Sequence, residues 1–315
     1  MKRIGLMILV LLLALVCILS GCGGVPSVSE IQDALDPNTA NEMYYETDII
    51  MMDQTFEVAG DYTGPLKDGV PDGEGVYVLY DDKGEELFSY RGEFSDGKLN
   101  GEGVLRMTSK EDGFDLKYEG TFKDNALDGK GVLSAKTMDP EDQIVIKGTF
   151  TGGKFTPTTG EKYDYLGQLD LFGRFDVPDH IIAYIDDHPQ LFPQAEEGAI
   201  AEDELQDFVY KQFTKTRKQE TPGLVKQELG VMSIYETESE DFGDTVTYML
   251  AFDLDENYYA LYYLGSEEVF DGDVIVAYSI PVATSSFDNI GGGTTNVVVM
   301  LTSQMEVEYS PDNNK

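Results

Sequence analysis

The chain has 315 residues, with 22 Lys or Arg against 59 Asp or Glu, and its formal net charge is −37. This length holds two ordinary domains, and a hydrophobic fraction of 41% can form a core, which excludes wholesale disorder. The acidic balance argues against nucleic acid or an anionic membrane surface as a partner, because Lys and Arg drive phosphate binding. Two Cys and two His exclude a disulfide framework and leave little material for His-based chemistry. The sequence predicts no catalytic residue, no specific metal site and no cofactor, and it does not decide whether calcium binds the acidic loops.

The first 21 residues have the order of segments that is typical of a secretory signal. A basic dipeptide at 2–3 precedes an apolar stretch at 4–19, which is shorter than the ~20 residues that a membrane-spanning helix needs. The quartet Leu-Ser-Gly-Cys that ends at Cys22 resembles the lipobox of bacterial lipoproteins. This resemblance implies cleavage before Cys22 and a diacylglyceryl group on its thiol. The protein would then be extracytoplasmic and anchored by lipid to the bacterial cell membrane. The alternative is an uncleaved anchor that contains an ordinary Cys.

A repeat of 28 residues begins at Tyr62. Tyr-Thr-Gly, Tyr-Arg-Gly, Tyr-Glu-Gly and Ile-Lys-Gly start at positions 62, 90, 118 and 146. The pattern Y-x-G-x(4)-G-x(3)-G-x-G-V recurs three times, with Asn125 in place of one Gly, and the fourth copy decays after Gly153. Asn is the expected substitute where the backbone is left-handed. The predicted structural residues of the repeats are Tyr62, Gly64, Gly69, Gly73, Gly75, Tyr90, Gly92, Gly97, Gly101, Gly103, Tyr118, Gly120, Asn125, Gly129, Gly131, Gly148 and Gly153.

The leading segment of each repeat alternates apolar and polar residues, as in 88–94, 116–122 and 144–150. Such alternation is typical of strands with one buried face, and the Asp-Gly and Asp-Asn pairs that follow are hairpin-turn signals. The motif resembles the MORN repeat over residues 62–157. That resemblance implies consecutive antiparallel β-hairpins in one curved sheet, whose aromatic face could receive a partner.

Three aromatic residues are candidates for the groove on that face: Phe94, Phe122 and Phe150. Members of the MORN family have been linked to phospholipid binding. Residues 62–157 carry 12 Lys or Arg and 19 Asp or Glu, which argues against transferring anionic-lipid binding to this chain.

The C-terminal part predicts a lead-in helix at 202–217 and short strands between 224 and 309, which suit a small closed barrel. The segments 272–278 and 291–299 resemble the OB-like domains attached to bacterial surface lipoproteins. Nucleic acid is the usual ligand of that fold class. From residue 176 onward the chain has 6 Lys or Arg against 28 Asp or Glu, so we expect no nucleic-acid binding.

The sequence therefore predicts a mainly β protein, with a MORN-type array of antiparallel β-hairpins followed by a small OB-like β-barrel with a lead-in helix. The predicted segments are a signal peptide (1–21), a lipid-anchored tether (22–55), the hairpin repeats (56–175), a linker (176–200), the OB-like domain (201–310) and a tail (311–315).

The predicted function is non-catalytic binding or scaffolding of a protein or envelope polymer, with the membrane reached through the lipid on Cys22. One alternative is a wall-polymer hydrolase that uses a carboxylate pair. Another is ligand capture for a transporter, which would require a hinge cleft between two similar lobes. The sequence does not specify the oligomeric state.

Overall fold

The computed structural model of the chain describes residues 41–110, 113–136, 143–216, 221–239, 241–288 and 292–311. They form two compact units that divide between Pro157 and Thr158. Cys22, the predicted signal peptide and residues 22–40 of the predicted tether lie outside the described residues. Among the residues that are described, no helix is long and apolar enough to cross a bilayer.

The N-terminal unit consists of a nine-stranded sheet, whose neighbouring strands are antiparallel, and a separate two-stranded hairpin. The strands of this unit are β1 (Asn41–Met51), β2 (Gln54–Gly64), β3 (Leu66–Lys67), β4 (Val70–Pro71), β5 (Gly73–Tyr80), β6 (Glu86–Ser95), β7 (Lys98–Ser109), β8 (Phe114–Lys123), β9 (Ala126–Lys136), β10 (Gln143–Thr151) and β11 (Lys154–Phe155). The sheet order is β1-β2-β5-β6-β7-β8-β9-β10-β11, and β3 pairs with β4 alone. Because almost every strand pairs with the next one in the chain, the predicted array of antiparallel hairpins is confirmed.

The sheet begins earlier than the sequence predicts. Residues 41–55 were predicted to belong to the tether, but β1 pairs with β2 along its whole length, from Asn41 opposite Gly64 to Met51 opposite Gln54. The sheet also curls enough for Ile50 of β1 to pair in parallel with Ala126 of β9.

The β1–β2 hairpin runs along the turns of successive repeats and ties them together. The hydrogen bonds that make this connection include Tyr45 Oη to Gly97 O, Ile50 N to Asn125 O at 3.0 Å, and Met52 N to Gly153 O at 2.7 Å.

The buried face of this sheet is a ladder of aromatic rings. Tyr and Phe side chains of neighbouring repeats meet edge to face, with centroid distances from 4.9 Å for Tyr62–Phe94 to 5.3 Å for Tyr118–Phe150. Phe94 and Phe122 are each 3% exposed and Phe150 is 1% exposed. The prediction that these three residues line an open groove is therefore wrong. A sheet that curls until β1 meets β9 covers its own apolar face.

The C-terminal unit combines helices with a second sheet. Its elements are α1 (Thr159–Gln168), α2 (Asp179–Asp187), a 3₁₀ helix (Glu202–Glu204), α3 (Tyr210–Thr216), β12 (Val225–Glu238), β13 (Thr245–Phe252), β14 (Tyr258–Leu264), β15 (Val274–Asp288) and β16 (Thr294–Tyr309). The five strands close into a barrel in the order β12-β13-β14-β16-β15, and β12 pairs back to β15. The pair β14–β16 is parallel and the others are antiparallel.

Two sequence-based boundaries change in this unit. Residues 158–175 were assigned to the repeats, but Thr158 and Glu161 form a capping box that starts α1, and the compact C-terminal unit begins at Thr158. The predicted helix at 202–217 is divided into the 3₁₀ helix and α3.

Alternation along the barrel strands builds two cores. Met249, Leu261 and Ile275 belong to one cluster, which Phe213 of α3 also joins. Leu250, Ala260 and Ile280 point the other way, into a cluster shared with α1 and α2. The second cluster includes several residues of α1 and α2, which cannot fit inside a five-stranded barrel, so it lies on the outside. The strand residues of the first cluster point the opposite way, into the interior, and Phe213 is the buried side chain that α3 adds to them.

Candidate binding face of the repeat sheet

The glycines of the repeat motif make room for its tyrosine. Across neighbouring strands Gly92 stands opposite both Gly75 and Gly103. The ring of Tyr90 lies over this row, and a Cβ atom added at Gly103 would be 2.5 Å from its Cε2 atom. The Tyr90 hydroxyl donates to Glu93 O at 3.0 Å, so the buried ring keeps a hydrogen bond. Tyr62 and Tyr118 have the same arrangement. These motif residues build the core.

The turns stack with the period of the repeat. Asp96-Gly97 and Asp124-Asn125 have positive φ at both positions, which is the conformation of a type I′ hairpin turn. The second residue of each turn donates its N–H to a carbonyl of the preceding repeat. These bonds are Gly97 N to Pro71 O at 2.8 Å, Asn125 N to Leu99 O at 3.0 Å and Gly153 N to Leu127 O at 2.8 Å. A step of 28 residues therefore carries each turn onto the one before it.

The opposite face of the sheet carries the polar residues of the same strands, and we call it the outer face. A depression of about 670 Å³ lies on it. Its lining includes the valines Val76, Val78 and Val104, the serines Ser89 and Ser134, the basic residues Arg91, Arg106, Lys117 and Lys136, and the acids Glu86 and Asp115. In a chain with a net charge of −37, this depression has four basic side chains against two acidic ones.

Strand register explains why these side chains converge. Ser89 of β6 stands opposite Arg106 of β7, which stands opposite Lys117 of β8, which in turn stands opposite Ser134 of β9. Residues in register point to the same side of a sheet, and adjacent strands are ~4.8 Å apart. One row thus crosses four strands.

One ion-pair network fixes part of this face. The Arg106 guanidinium donates through Nε and Nη2 to the two carboxylate oxygens of Asp115, both at 2.9 Å, and Lys136 Nζ lies 3.1 Å from Asp115 Oδ2. The bidentate bond from Arg106 lowers the pKa of the Asp115 carboxyl, and Lys136 lowers it further. Asp115 is consequently an ionised residue that holds two cations in place.

Arg91 differs from these neighbours because it makes no hydrogen bond or ion pair with any described residue. Its side chain is exposed and lies between Val76 and Val104, its cross-strand neighbours. A guanidinium held between two apolar side chains keeps its planar set of N–H donors available for a planar anion.

The sequence-based site residues lie in the core, in the hairpin turns and in the undescribed part of the chain. The motif tyrosines and the glycines that their rings cover belong to the buried aromatic ladder, turn residues such as Gly69 and Gly97 have positive φ, and Cys22 lies outside the described residues. Sequence reasoning did not identify the outer face as a site. The available signal was the placement of Arg91, Arg106 and Lys117 at outward-facing positions of three successive strands.

The comparisons agree with the architecture of the N-terminal unit. The family model for the MORN repeat matches residues 62–82, 90–109 and 118–136. The chain therefore contains three MORN repeats, which indicate a binding or scaffolding role. No curated protein matches the chain.

Proposed function

We propose that this protein is a non-catalytic, lipid-anchored binding protein of the bacterial cell envelope, and that its outer face contacts the ligand. The supporting observation is the difference between the two faces of the repeat sheet. Its aromatic face is closed, whereas its outer face offers a preformed depression that includes the exposed side chain of Arg91. Such a face can bind without first paying the entropy of ordering a loop.

The lipid anchor in this proposal rests on the lipobox resemblance at Cys22. Two acyl chains on one Cys give the stable attachment that a single chain does not provide. The proposal places the two units outside the cytoplasm, where the acidic surface keeps the protein away from the anionic membrane.

We also propose that the barrel is an OB-like module. It has five strands in a closed ring, one parallel pair (β14–β16), and a helix (α3) directly before its first strand. From residue 176 onward there are 28 acidic and 6 basic residues. This balance disfavours nucleic acid and makes a protein or a neutral polymer the favoured partner of this unit.

Hydrolysis that uses Asp115 as the acid is disfavoured by the ionised state of this residue. A glycosidase acid needs a raised pKa to protonate the leaving group. Asp115 has a lowered pKa because Arg106 and Lys136 bind both of its oxygens. The depression is better suited to holding a ligand than to cleaving one.

The anchor is tested by metabolic labelling with a radioactive fatty acid. Cys22→Ser should abolish acylation. Cys17→Ser is the matched control, because residue 17 would leave with the signal peptide and the variant should label normally. Equal labelling of the Cys22→Ser variant and the wild-type protein would refute the proposal.

A further inference from the structure

We infer that the depression on the outer face binds a short peptide bearing one or two carboxylates, and that Arg91 is the residue that receives a carboxylate. This inference names the ligand class of the face already proposed as the binding surface, so it rests on that proposed function.

The charges on the face are organised for an incoming anion. Asp115 binds Arg106 and Lys136 and fixes their positions. Arg91 has no such partner among the described residues, and its exposed guanidinium presents its full set of donors. A planar guanidinium recognises a carboxylate through two parallel N–H···O bonds, which adds geometric selectivity to the attraction.

The surroundings of Arg91 favour a peptide over a bare ion. Val76 and Val104 flank it in register, and the hydroxyls of Ser89 and Ser134 lie in the same depression. Val76 is already buried, but an apolar side chain of a ligand can cover the half-buried Val104. Ser89 Oγ donates to Glu86 Oε1 and Ser134 Oγ donates to Lys117 O, so both hydroxyls remain able to accept an N–H of a ligand amide. The volume of about 670 Å³ suits a ligand of a few residues.

The net charge of −37 decides between a peptide and a polyanion. The electrostatic repulsion between a ligand and the whole acidic chain grows with the number of negative charges on the ligand. It is small for a peptide with one or two carboxylates and large for a phosphate polymer or an anionic lipid surface. An extended anionic surface would also meet the acidic surface around the depression. Lys117 pairs with Glu119 at 2.7 Å, and Arg106 and Lys136 share Asp115, so the uncompensated positive charge is small and local. It therefore selects a compact ligand.

The experiment uses the full-length protein in nonionic detergent and the acetylated tripeptide Val-Glu-Val, whose side chain and free C-terminus supply two carboxylates. Binding is measured by titration calorimetry at low salt. We expect Arg91→Gln to weaken binding about tenfold or more, because a charge-assisted hydrogen-bond pair is lost. The tripeptide Val-Gln-Val, acetylated at its N-terminus and amidated at its C-terminus so that it carries no charge, should bind the wild-type protein no better than the charged tripeptide binds Arg91→Gln.

Lys98→Gln is the matched control. It removes the same unit of charge at the turn edge of the sheet, where Lys98 pairs with Asp124, and it does not line the depression. We expect this variant to bind the tripeptide as the wild-type protein does. Arg91→Lys should fall between the wild-type protein and Arg91→Gln, because it keeps the charge and loses the planar donor pair.

Several results would overturn the inference. They are absence of tripeptide binding to the wild-type protein, an equal loss in Lys98→Gln and Arg91→Gln, or tighter Arg91-dependent binding of inorganic phosphate or the soluble lipid dihexanoyl phosphatidylglycerol. If envelope components were captured equally by the wild-type protein and Arg91→Gln, the peptide site would be refuted while the proposed binding function would stand.

Discussion

Asn125 should stabilise the N-terminal unit through its side chain as well as through its turn conformation. It replaces the Gly of the repeat pattern and has φ of +71°. Its Oδ1 accepts the N–H of Leu99 at 2.8 Å, and its Nδ2 donates to Thr47 Oγ1 at 2.8 Å. The residue is 8% exposed, and its bond to Leu99 is buried whereas its bond to Thr47 is partly buried. The amide connects one repeat to the preceding repeat and to β1.

Asn125→Gly removes the two side-chain bonds while preserving the ease of positive φ. The N–H of Leu99 is then buried without its acceptor, which costs about 1–3 kcal/mol, and loss of the bond to Thr47 adds about 1 kcal/mol. Asn125→Ala also places a Cβ in the left-handed region without the local hydrogen bonding of Asn, which costs about 1 kcal/mol more. The expected order of stability is Asn, then Gly, then Ala.

Hydrogen exchange followed by mass spectrometry is the suitable assay, because it reports each of the two units separately and does not require two-state unfolding of the whole chain. Peptides containing Leu99 should exchange faster in both variants, and peptides from the barrel should not change. If Asn125→Gly matched or exceeded the wild-type protein in protection at Leu99, Asn125 would be only a turn former.

The preceding repeat provides a control for this reasoning. The residue equivalent to Leu99 is Pro71, which has no N–H to donate, and the turn residue there is Gly97. Gly97→Asn can therefore gain no corresponding bond. Its Cβ would also be 2.7 Å from the Tyr45 hydroxyl, so the variant should be destabilised.

Two further predictions concern the aromatic ladder. Gly103→Ala should destabilise the N-terminal unit by about 1–3 kcal/mol, because its Cβ would be 2.5 Å from the Tyr90 ring. The effect should be seen as faster hydrogen exchange in β6 and β7. Unchanged exchange would contradict the packing role of the glycine row. Burial raises the pKa of Tyr62 and Tyr118 from 10.0 to about 12, so their stabilising effect should be complete below pH 10 and lost as the pH rises through about 12. Tyrosinate absorbance from these rings should appear only as the unit unfolds, and their ionisation in a folded unit near pH 10 would contradict their burial.

The repeats could be predicted from sequence because their signals are local. Alternation within each strand, a Tyr every 28 residues and paired turn residues all lie within one repeat. The strand β1 gave no such signal. Tyr44 and Tyr45 are adjacent and Thr47 and Asp48 follow, so apolar residues do not alternate cleanly. Its place in the sheet depends on β2 and on bonds to distant turns.

The groove at Phe94, Phe122 and Phe150 was predicted wrongly for a related reason. A single-layer sheet leaves one apolar face open if it is flat. Whether it closes depends on the accumulated twist of nine strands, which brings Ile50 to Ala126 and is not visible in any one repeat. The net charge of a segment could not predict the outer face. It does not show which side of the sheet carries the basic residues and which side carries the acidic ones.

This division of charge leads to a prediction about polyanions. The full chain should not bind heparin or DNA at low salt, although Arg91, Arg106 and Lys117 share one face. At an ionic strength of 0.01 M the Debye length is about 30 Å, so a polyanion at the depression still experiences acidic residues over much of the molecule. Raising the salt weakens this long-range repulsion and also weakens the local attraction, so no salt concentration should produce tight binding. Retention on a heparin column at low salt would show that the local cations outweigh the net charge, and the preference for a compact peptide would lose its electrostatic basis.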